Sequence, residues 1–591
     1  MAGSTQTAIG KPPVGSPGKS NLEAHRFLSL ATKLIAIVFV SAAAIGVLAP
    51  LVLTIVMSFK PGLLTDNEPY TWAIMQDAWT SRGTLVAARN TLAFATISSV
   101  FATALGTVMA FIAARTDART RRLIFPVMAS ALLIPPYISA MSWVLLLNPR
   151  TGIANVPLQG LFHVADGPLS IYNVFGMAFV QGMEVSGIAF LLLLGVFRSM
   201  DATLGEAASM SGVRRLRVFL HVDIPLAMPA LAGAFIFTYV LCVATFEVPA
   251  VIGGPAKFNT LSTLMYNITQ LQTSTSGLPN YNTAAAFGLV LIVISLALIV
   301  AYRRVLSQAR RFAVVTARGY QRRNIHLGRL KWPVDIGVVI VFLLKAVLPI
   351  LVLLWVSFSH YLRPVDAAGF RDMTLAAYRN IFDALDAGPL RNSLYVLIVV
   401  PILDLALALG ISWIVVRSRW RLRGLVDALA FVPQGVPHAQ AAVAFAFLFL
   451  SVAQYVFLYE SIWSMIIVQA IAGIPLATRY VNAAMIQLHD DLDDAARTSG
   501  VGLFHRFRSV YVPLLAPTLL SGGVWLALLA YQELTLPLFL AGPNTQVVST
   551  LIWGLWSAGK LNQVAALSLM SIIFAAIVLV PVSKRIQRTE F

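Results

Sequence analysis

Five ionisable side chains, Glu184, Glu247, Lys345, Asp404 and Glu533, stand within or at the ends of long apolar stretches of this chain. A charge in hydrocarbon is expensive, so such a residue faces a bundle interior or water, where it can pair or meet a passing ion. Glu247 and Glu533 recur in related surroundings, Phe246-Glu247-Val248-Pro249 and Gln532-Glu533-Leu534-Thr535-Leu536-Pro537, each followed by Gly-Pro. A carboxylate pair there would line a gate or briefly contact a cationic ligand. An interhelical hydrogen bond or an interfacial position accounts for the same residues equally simply. Other chemistry finds no support. Gly15-Ser16-Pro17-Gly18-Lys19-Ser20 has the ending of a phosphate-cradling loop, but Pro13 stands where the first glycine belongs and no strand precedes it. The single cysteine, Cys242, lies in an apolar span, which excludes an intrachain disulfide and argues against a zinc or redox site. No His, Cys or carboxylate spacing makes a fixed metal site, and no nucleophile or paired acid recurs at one face to suggest an enzyme.

A second constellation is polar and occurs twice. Glu206 to Pro225 reads EAASMSGVRRLRVFLHVDIP, and Asp494 to Pro513 reads DAARTSGVGLFHRFRSVYVP. Each copy has an acid, two alanines, a glycine and a closing Val-x-(Ile/Val)-Pro; Gly212 and Gly500 are 500 − 212 = 288 positions apart. Thr203 with Glu206 fits a capping box, and Asp491 with Asp494 can cap in a related way. The acids serve at least to start a short helix. Gly212 and Gly500 suit the left-handed residue that ends it. A second helix then follows, with Pro225 and Pro513 breaking it before the next span.

The elements around these residues are membrane helices. Only 12% of the 591 residues are charged and 58% are hydrophobic, whereas a soluble domain carries about 25% charged residues. A net charge of +18 would suit nucleic acid on a soluble protein, but here the arginines fill short loops between apolar spans, where they set topology. A span needs about 20 apolar residues. Twelve are expected, near 30–58, 89–114, 123–147, 173–197, 229–252 and 282–302, then 334–358, 392–416, 425–450, 462–487, 518–541 and 562–582. The first is retained rather than cleaved as a signal peptide, because its apolar run is too long for one. Arginine-rich loops at 115–122, 198–217, 417–423 and 497–508, with the linker and the tail, place both termini and both polar stretches in the cytoplasm. The two halves also share Arg89-Asn90-Thr91-Leu92 with Arg391-Asn392-Ser393-Leu394, and Gln181 with Gln469. An even number of spans per half makes the repeat parallel rather than inverted.

The doubled stretch resembles the EAA loop of permease subunits of binding-protein-dependent ABC importers, and the resemblance covers roughly residues 30–582. It implies an all-α polytopic protein of about twelve transmembrane helices, two parallel six-helix repeats of the type I importer permease fold. The organisation expected is a disordered cytoplasmic N-terminus at 1–28, a first transmembrane domain at 29–303, a basic cytoplasmic linker at 304–332 and a second transmembrane domain at 333–591. Within the family the fused form is most similar to ferric-iron permeases; permeases for 2-aminoethylphosphonate, polyamines or other small solutes share the layout. By this resemblance Glu206, Ala207, Ala208, Gly212, Arg214, Arg215 and Pro225 would dock on one ATPase subunit. Asp494, Ala495, Ala496, Gly500, Arg506, Arg508 and Pro513 would dock on the other. The aspartate at 494, where the family has glutamate, puts equal coupling strength in doubt. Glu184, Glu247 and Glu533 would face the translocation path. The implied partners are two ATP-binding subunits, a solute-binding protein and the lipid bilayer of a bacterial inner membrane. ATP and Mg would be bound by the partner ATPase, with no cofactor on this chain and no nucleic acid. An ion-coupled secondary transporter is the alternative from another class, and the parallel repeat weighs against it.

Overall fold

In hydrocarbon every backbone N–H and C=O must be paired within its own segment, so apolar runs of spanning length become helices. The computed structural model describes residues 41, 44, 46, 48–200, 215–271, 279–309, 325–384, 387–418, 420–489, 491, 492, 498 and 501–589. The first half contains α1 (Leu48–Phe59), α2 (Arg82–Arg115), α3 (Pro136–Leu147), α4 (Val174–Ser199), α5 (Phe219–Ala244) and α6 (Tyr281–Ala309). The second contains α7 (Gly328–Phe358), α8 (Gly388–Arg417), α9 (His438–Ser451), α10 (Ile462–Gln487), α11 (Phe507–Gln532) and α12 (Leu561–Thr589). Among the described residues nine helices are long and apolar enough to cross a membrane, and α1, α3 and α9 are shorter apolar helices. No strand forms among them; one isolated bridge joins Thr116 to Ile325. The all-α, twice-repeated architecture is the one the sequence predicts.

Prolines account for where it departs from that prediction. The spans expected near 123–147 and 425–450 are each broken. Arg121–Met128 and a tight turn at Ala129–Leu132 precede α3, while Arg423–Phe431 and Val432–Gly435 precede α9. Pro135 and Pro437, extended at ψ 146° and 136°, cap the helices that restart there, because a proline supplies no N–H to the turn before it. The helices entering α5 and α11 start at Phe219 and Phe507, not near 229 and 518, and Pro225 and Pro513 do not break them. Each proline instead follows a π turn, Phe219–Asp223 or Phe507–Tyr511, and Leu343–Val347 precedes Pro349 in α7 the same way. The wider π turn slips the pairing by one residue and gives the ring room. Pro249 and Pro537 lie beyond the ends of α5 and α11. The chain leaves the helix four residues earlier, at Thr245 and Glu533, both extended.

Close approach holds each half together. A Cβ on Gly106 would stand 2.6 Å from the Ala189 Cβ and 2.8 Å from the Phe190 nitrogen, so α2 and α4 touch backbone to backbone as small-residue membrane contacts do. The first span of each half crosses to the other. In α1, Thr54 accepts a 2.6 Å hydrogen bond from Gln440 of α9; in α7, Lys345 donates to the Met183 carbonyl of α4. Both are interhelical bonds of the kind worth about 0.6–2 kcal/mol in a bilayer.

The chain entering α7 is gripped by the turn after α2. Asp117 accepts from the Leu327 N–H at 2.9 Å and pairs with His326 and Lys331, each at 3.2 Å. Thr120 donates twice to Asp335, at 3.0 and 2.7 Å. The Leu327 N–H, with His326 and Lys331, holds the Asp117 carboxyl well below the usual range. A depressed carboxyl contributes stability above its unfolded pKa of about 4 and loses it only as pH falls through the folded value, so this latch stays closed at neutral pH. α6 runs to Ala309 and the chain is described again from Ile325.

Candidate functional site

The breaks after α5 and α11 bring two carboxylates to the junction of the halves. Glu533 caps the end of α11, and Glu247 lies three residues beyond the end of α5. His438, the first residue of α9, meets Glu533 at 3.2 Å, and the Leu536 N–H donates to the same carboxylate at 3.2 Å. The His438 side chain is 48% exposed. Glu247 faces the backbone N–H groups of Tyr137, in the first turn of α3, and of Leu534 from the other half. Its second oxygen is buried without a hydrogen-bond partner. Glu533 and Glu184 both lie within coulombic reach of it. The result is a cluster of carboxyl groups at the start points of two interrupted helices.

Four rings close over this point. Phe246 and Tyr266 from the first half meet Phe539 and Trp553 from the second, with centroid separations of 5.7 to 6.2 Å. Trp553 Nε1 donates to the Tyr266 hydroxyl at 3.2 Å. Such aromatic contacts add about 0.5–1.5 kcal/mol each beyond area burial. Tyr266 and Trp553 ride on matched short helices, Leu261–Leu271 and Val548–Ser557. The repeated Arg-Asn-(Thr/Ser)-Leu motif holds them. Asn90 donates to the Asn259 carbonyl at 3.1 Å and Asn392 to the Gln546 carbonyl at 3.0 Å. Thr91 accepts from the Leu261 N–H at 2.9 Å, and Ser393 from the Val548 N–H at 2.8 Å.

Glu184 has a different setting. It is 6% exposed, one oxygen has no partner, and Lys345 lies against it while donating to the Met183 carbonyl. The crossing related by the repeat carries no charge. Pro50 and Pro349 are 299 apart, which matches Lys345 to Gly46 (345 − 299); Gln181 and Gln469 are 288 apart, which matches Met183 to Ile471 and Glu184 to Ala472. Gly46 does pack against Ile471, at 3.0 Å from its built Cβ. One crossing carries a lysine bound to backbone carbonyls and its twin is apolar.

Three of the carboxylates singled out in the sequence are thus brought within reach of one another, while Asp404 lies apart, buried against Gly473. Sequence reasoning passed over His438, Tyr137 and the four rings. A histidine just after a Val-Pro in an apolar stretch was the available signal for His438. Among the described residues no group of three or more His, Cys, Asp or Glu side chains is placed to hold a metal ion. Glu206, Ala207, Ala208, Gly212 and Arg214, with Asp494, Ala495, Ala496 and Gly500, lie outside the described residues. Arg215 begins the helix Arg215–Val218 and Arg506 ends Leu503–Arg506, while Arg508, Pro225 and Pro513 are exposed.

A family model described as the inner membrane component of binding-protein-dependent transport systems matches residues 102–311 and again 406–588. Each match contains one copy of the doubled polar stretch. The chain is 28% identical over 385 residues to a probable ABC transporter permease protein of Sinorhizobium fredii, covering 63% of this chain and 65% of that protein. It is 24% identical over 461 residues to a ferric transport system permease protein of Actinobacillus pleuropneumoniae, covering 75% and 63% respectively. A putative 2-aminoethylphosphonate transport system permease protein of Salmonella typhi is 26% identical over 215 residues, covering 36% of this chain and 72% of that protein. The chain spans a little under two thirds of the length of the first two.

Proposed function

Because the chain belongs to the family of inner membrane components of binding-protein-dependent transport systems, we propose that it encloses the translocation path of an ABC importer and couples that path to ATP hydrolysed on other chains. It is a multi-pass inner membrane permease with two fused family domains. The observation that carries the reading is the double family match, which falls once on each half and takes in both EAA stretches. In this reading residues 29–303 and 333–591 are the two transmembrane domains, 304–332 the linker between them and 1–28 a cytoplasmic extension. The loop with Glu206 and Gly212 docks one ATP-binding subunit and the loop with Asp494 and Gly500 the other; those subunits hold ATP and Mg. A solute-binding protein delivers cargo at the outer face, where the four rings act as a lid. Glu247 and Glu533 line the path beneath that lid, with Glu184 alongside.

Ferric iron is the substrate this reading favours. The ferric relative from Actinobacillus pleuropneumoniae supports it, and so does the concentration of carboxylates under the lid. 2-Aminoethylphosphonate is the second reading, favoured by the Salmonella typhi relative. Coexpressed with its partner subunits, the chain should support ATP-dependent uptake of radiolabelled ferric ion and copurify with two ATP-binding subunits. The purified chain alone should hydrolyse no ATP. Hydrolysis without a partner would overturn the importer assignment; uptake of 2-aminoethylphosphonate without ferric uptake would replace the substrate.

Orientation follows from the arginine-rich loops. Reporter fusions after residue 320 are expected to read cytoplasm, and fusions near residue 270 the outer side. Both reporting the same side would remove an odd number of spans between them.

A further inference from the structure

The inner ends of α2 and α8 are built from one module. Ile112, Arg115, Thr116 and Arg121 are matched by Ile414, Arg417, Ser418 and Arg423, each 302 positions later (414 − 112). Thr116 and Ser418 donate back to the Ile112 and Ile414 carbonyls at 2.8 and 2.6 Å. Arg121 and Arg423 each reach the Thr116 or Ser418 carbonyl at 3.5 Å. Those bonds close the helix end, and the first arginine is left to turn sideways. Arg115 donates to the Met200 carbonyl at 2.8 Å, and Arg417 to the Met485 and Leu488 carbonyls at 2.8 and 2.6 Å. Met200 and Leu488 are the C-cap residues of α4 and α10, at the roots from which the two EAA stretches depart. A guanidinium there satisfies carbonyls that the helix itself leaves open and sits at the negative end of its dipole.

The far stem of each loop returns to the same place. Asp223, 3% exposed in the π turn, lies within coulombic reach of Arg115. Phe111 of α2 contacts Phe219 at 4.4 Å, and its match Trp413 of α8 contacts Phe507 at 6.1 Å. Topology accounts for exposed arginines in a cytoplasmic loop, but Arg115 is 3% exposed and spends its donor on a neighbouring helix. Towards the opposite end, α2 carries Asn90 and Thr91, and α8 carries Asn392 and Ser393; these hold the short helices of the lid. Asn90 and Arg115, like Asn392 and Arg417, are 25 positions apart, about 37 Å of helix at 1.5 Å per residue.

We infer that Arg115 and Arg417 are positioning residues of the coupling machinery. Each pins the root of one EAA loop to the inner end of a helix whose outer end holds the lid. α2 and α8 are then the rods that carry the nucleotide state of the ATPase to the outer face. The inference rests on the EAA loops being the docking elements.

The test is a distance measurement that needs no transported substrate. Spin labels at Lys257 and Asn544, both exposed beside the lid, are placed in a Cys242→Ser chain assembled with its ATP-binding subunits. Trapping with ATP and vanadate should shift the inter-label distance in the parent. The shift should be lost in the Arg115→Ala/Arg417→Ala double variant, with the ATP-binding subunits still copurifying. Lysine keeps the positive charge but not the planar fork of donors, so Arg115→Lys and Arg417→Lys should each retain more of the shift than the corresponding alanine variant. A full shift in the double alanine variant overturns the bracket. No shift in the parent overturns the coupling reading of the loops themselves. If the double variant does not accumulate, the single Arg115→Ala and Arg417→Lys variants decide, and an unchanged shift in both overturns the inference.

Discussion

Uptake should be abolished, with the chain still in the membrane, when Gly212 and Gly500 are both replaced by arginine. Both glycines stand where the sequence predicts a helix to end in a left-handed residue, a conformation that costs a Cβ-bearing residue about 1–2 kcal/mol. The two alanines before each glycine suit a backbone brought close to a partner, and a long charged side chain cannot share that space. Loss of a central contact of this kind costs about 2–4 kcal/mol, roughly 30- to 1,000-fold in occupancy. Each single variant should therefore reduce uptake, since the other loop still engages its ATPase subunit, and the double variant should leave none. Asp494 replaces the glutamate of the first copy, so Gly212→Arg and Gly500→Arg need not be equal. Uptake and copurification of the ATP-binding subunits, measured side by side at matched membrane levels, separate coupling from insertion. Normal transport by the double variant would remove the main support for coupling through these loops.

The spans were legible wherever apolar length alone sets them. α10 runs from 462 to 487 as expected from sequence, because nothing in Ile462–Gln487 competes with a helix strongly enough to end it; even Pro475 is carried inside. Prolines misled where their effect depends on a neighbouring turn. Pro225 and Pro513 read as breaks, but a π turn just before each lets the helix pass. Pro135 and Pro437 sit in equally apolar surroundings and do mark breaks, and local composition does not distinguish the two cases. Pairings were not legible. Glu184 and Lys345 stand out singly as costly charges, yet their meeting requires α7 to cross onto the opposite half. Arg115 and Arg417 illustrate the same limit. In the sequence they belong with the other loop arginines, and only the carbonyls of Met200, Met485 and Leu488 reveal what they hold. The repeat itself offered a signal, because Ile-x-x-Arg-(Thr/Ser) recurs at 302 just as the Arg-Asn-(Thr/Ser)-Leu motif does.

Replacing Glu247 and Glu533 together by glutamine is expected to lower ferric-ion uptake at least about a hundredfold while the ATP-binding subunits remain bound. Glutamine keeps the volume and the acceptor oxygen, so the contacts to Leu534, Leu536 and Tyr137 need not collapse, and only charge is removed. One unit charge about 6 Å from a single positive charge is worth about 3 kcal/mol at an effective dielectric of about 20, or roughly a hundredfold, and an ion of higher charge loses more. Neutral glutamine at 533 also leaves His438 without its carboxylate at 3.2 Å, and Lys345 together with a protonated His438 then outweighs the remaining carboxyl of Glu184. A cation would meet a barrier where it previously met attraction. An anionic phosphonate would meet less repulsion than before, so its uptake should hold or rise in the same variant. The measurement is uptake of ferric ion and of 2-aminoethylphosphonate by parent and double variant, with ATP hydrolysis stimulated by the loaded binding protein as the control for assembly. Ferric uptake unchanged beside normal hydrolysis would show that these carboxylates do not touch the cargo, leaving Glu533 as the partner that fixes His438 at the start of α9 and Glu247 as a cap on the α3 backbone.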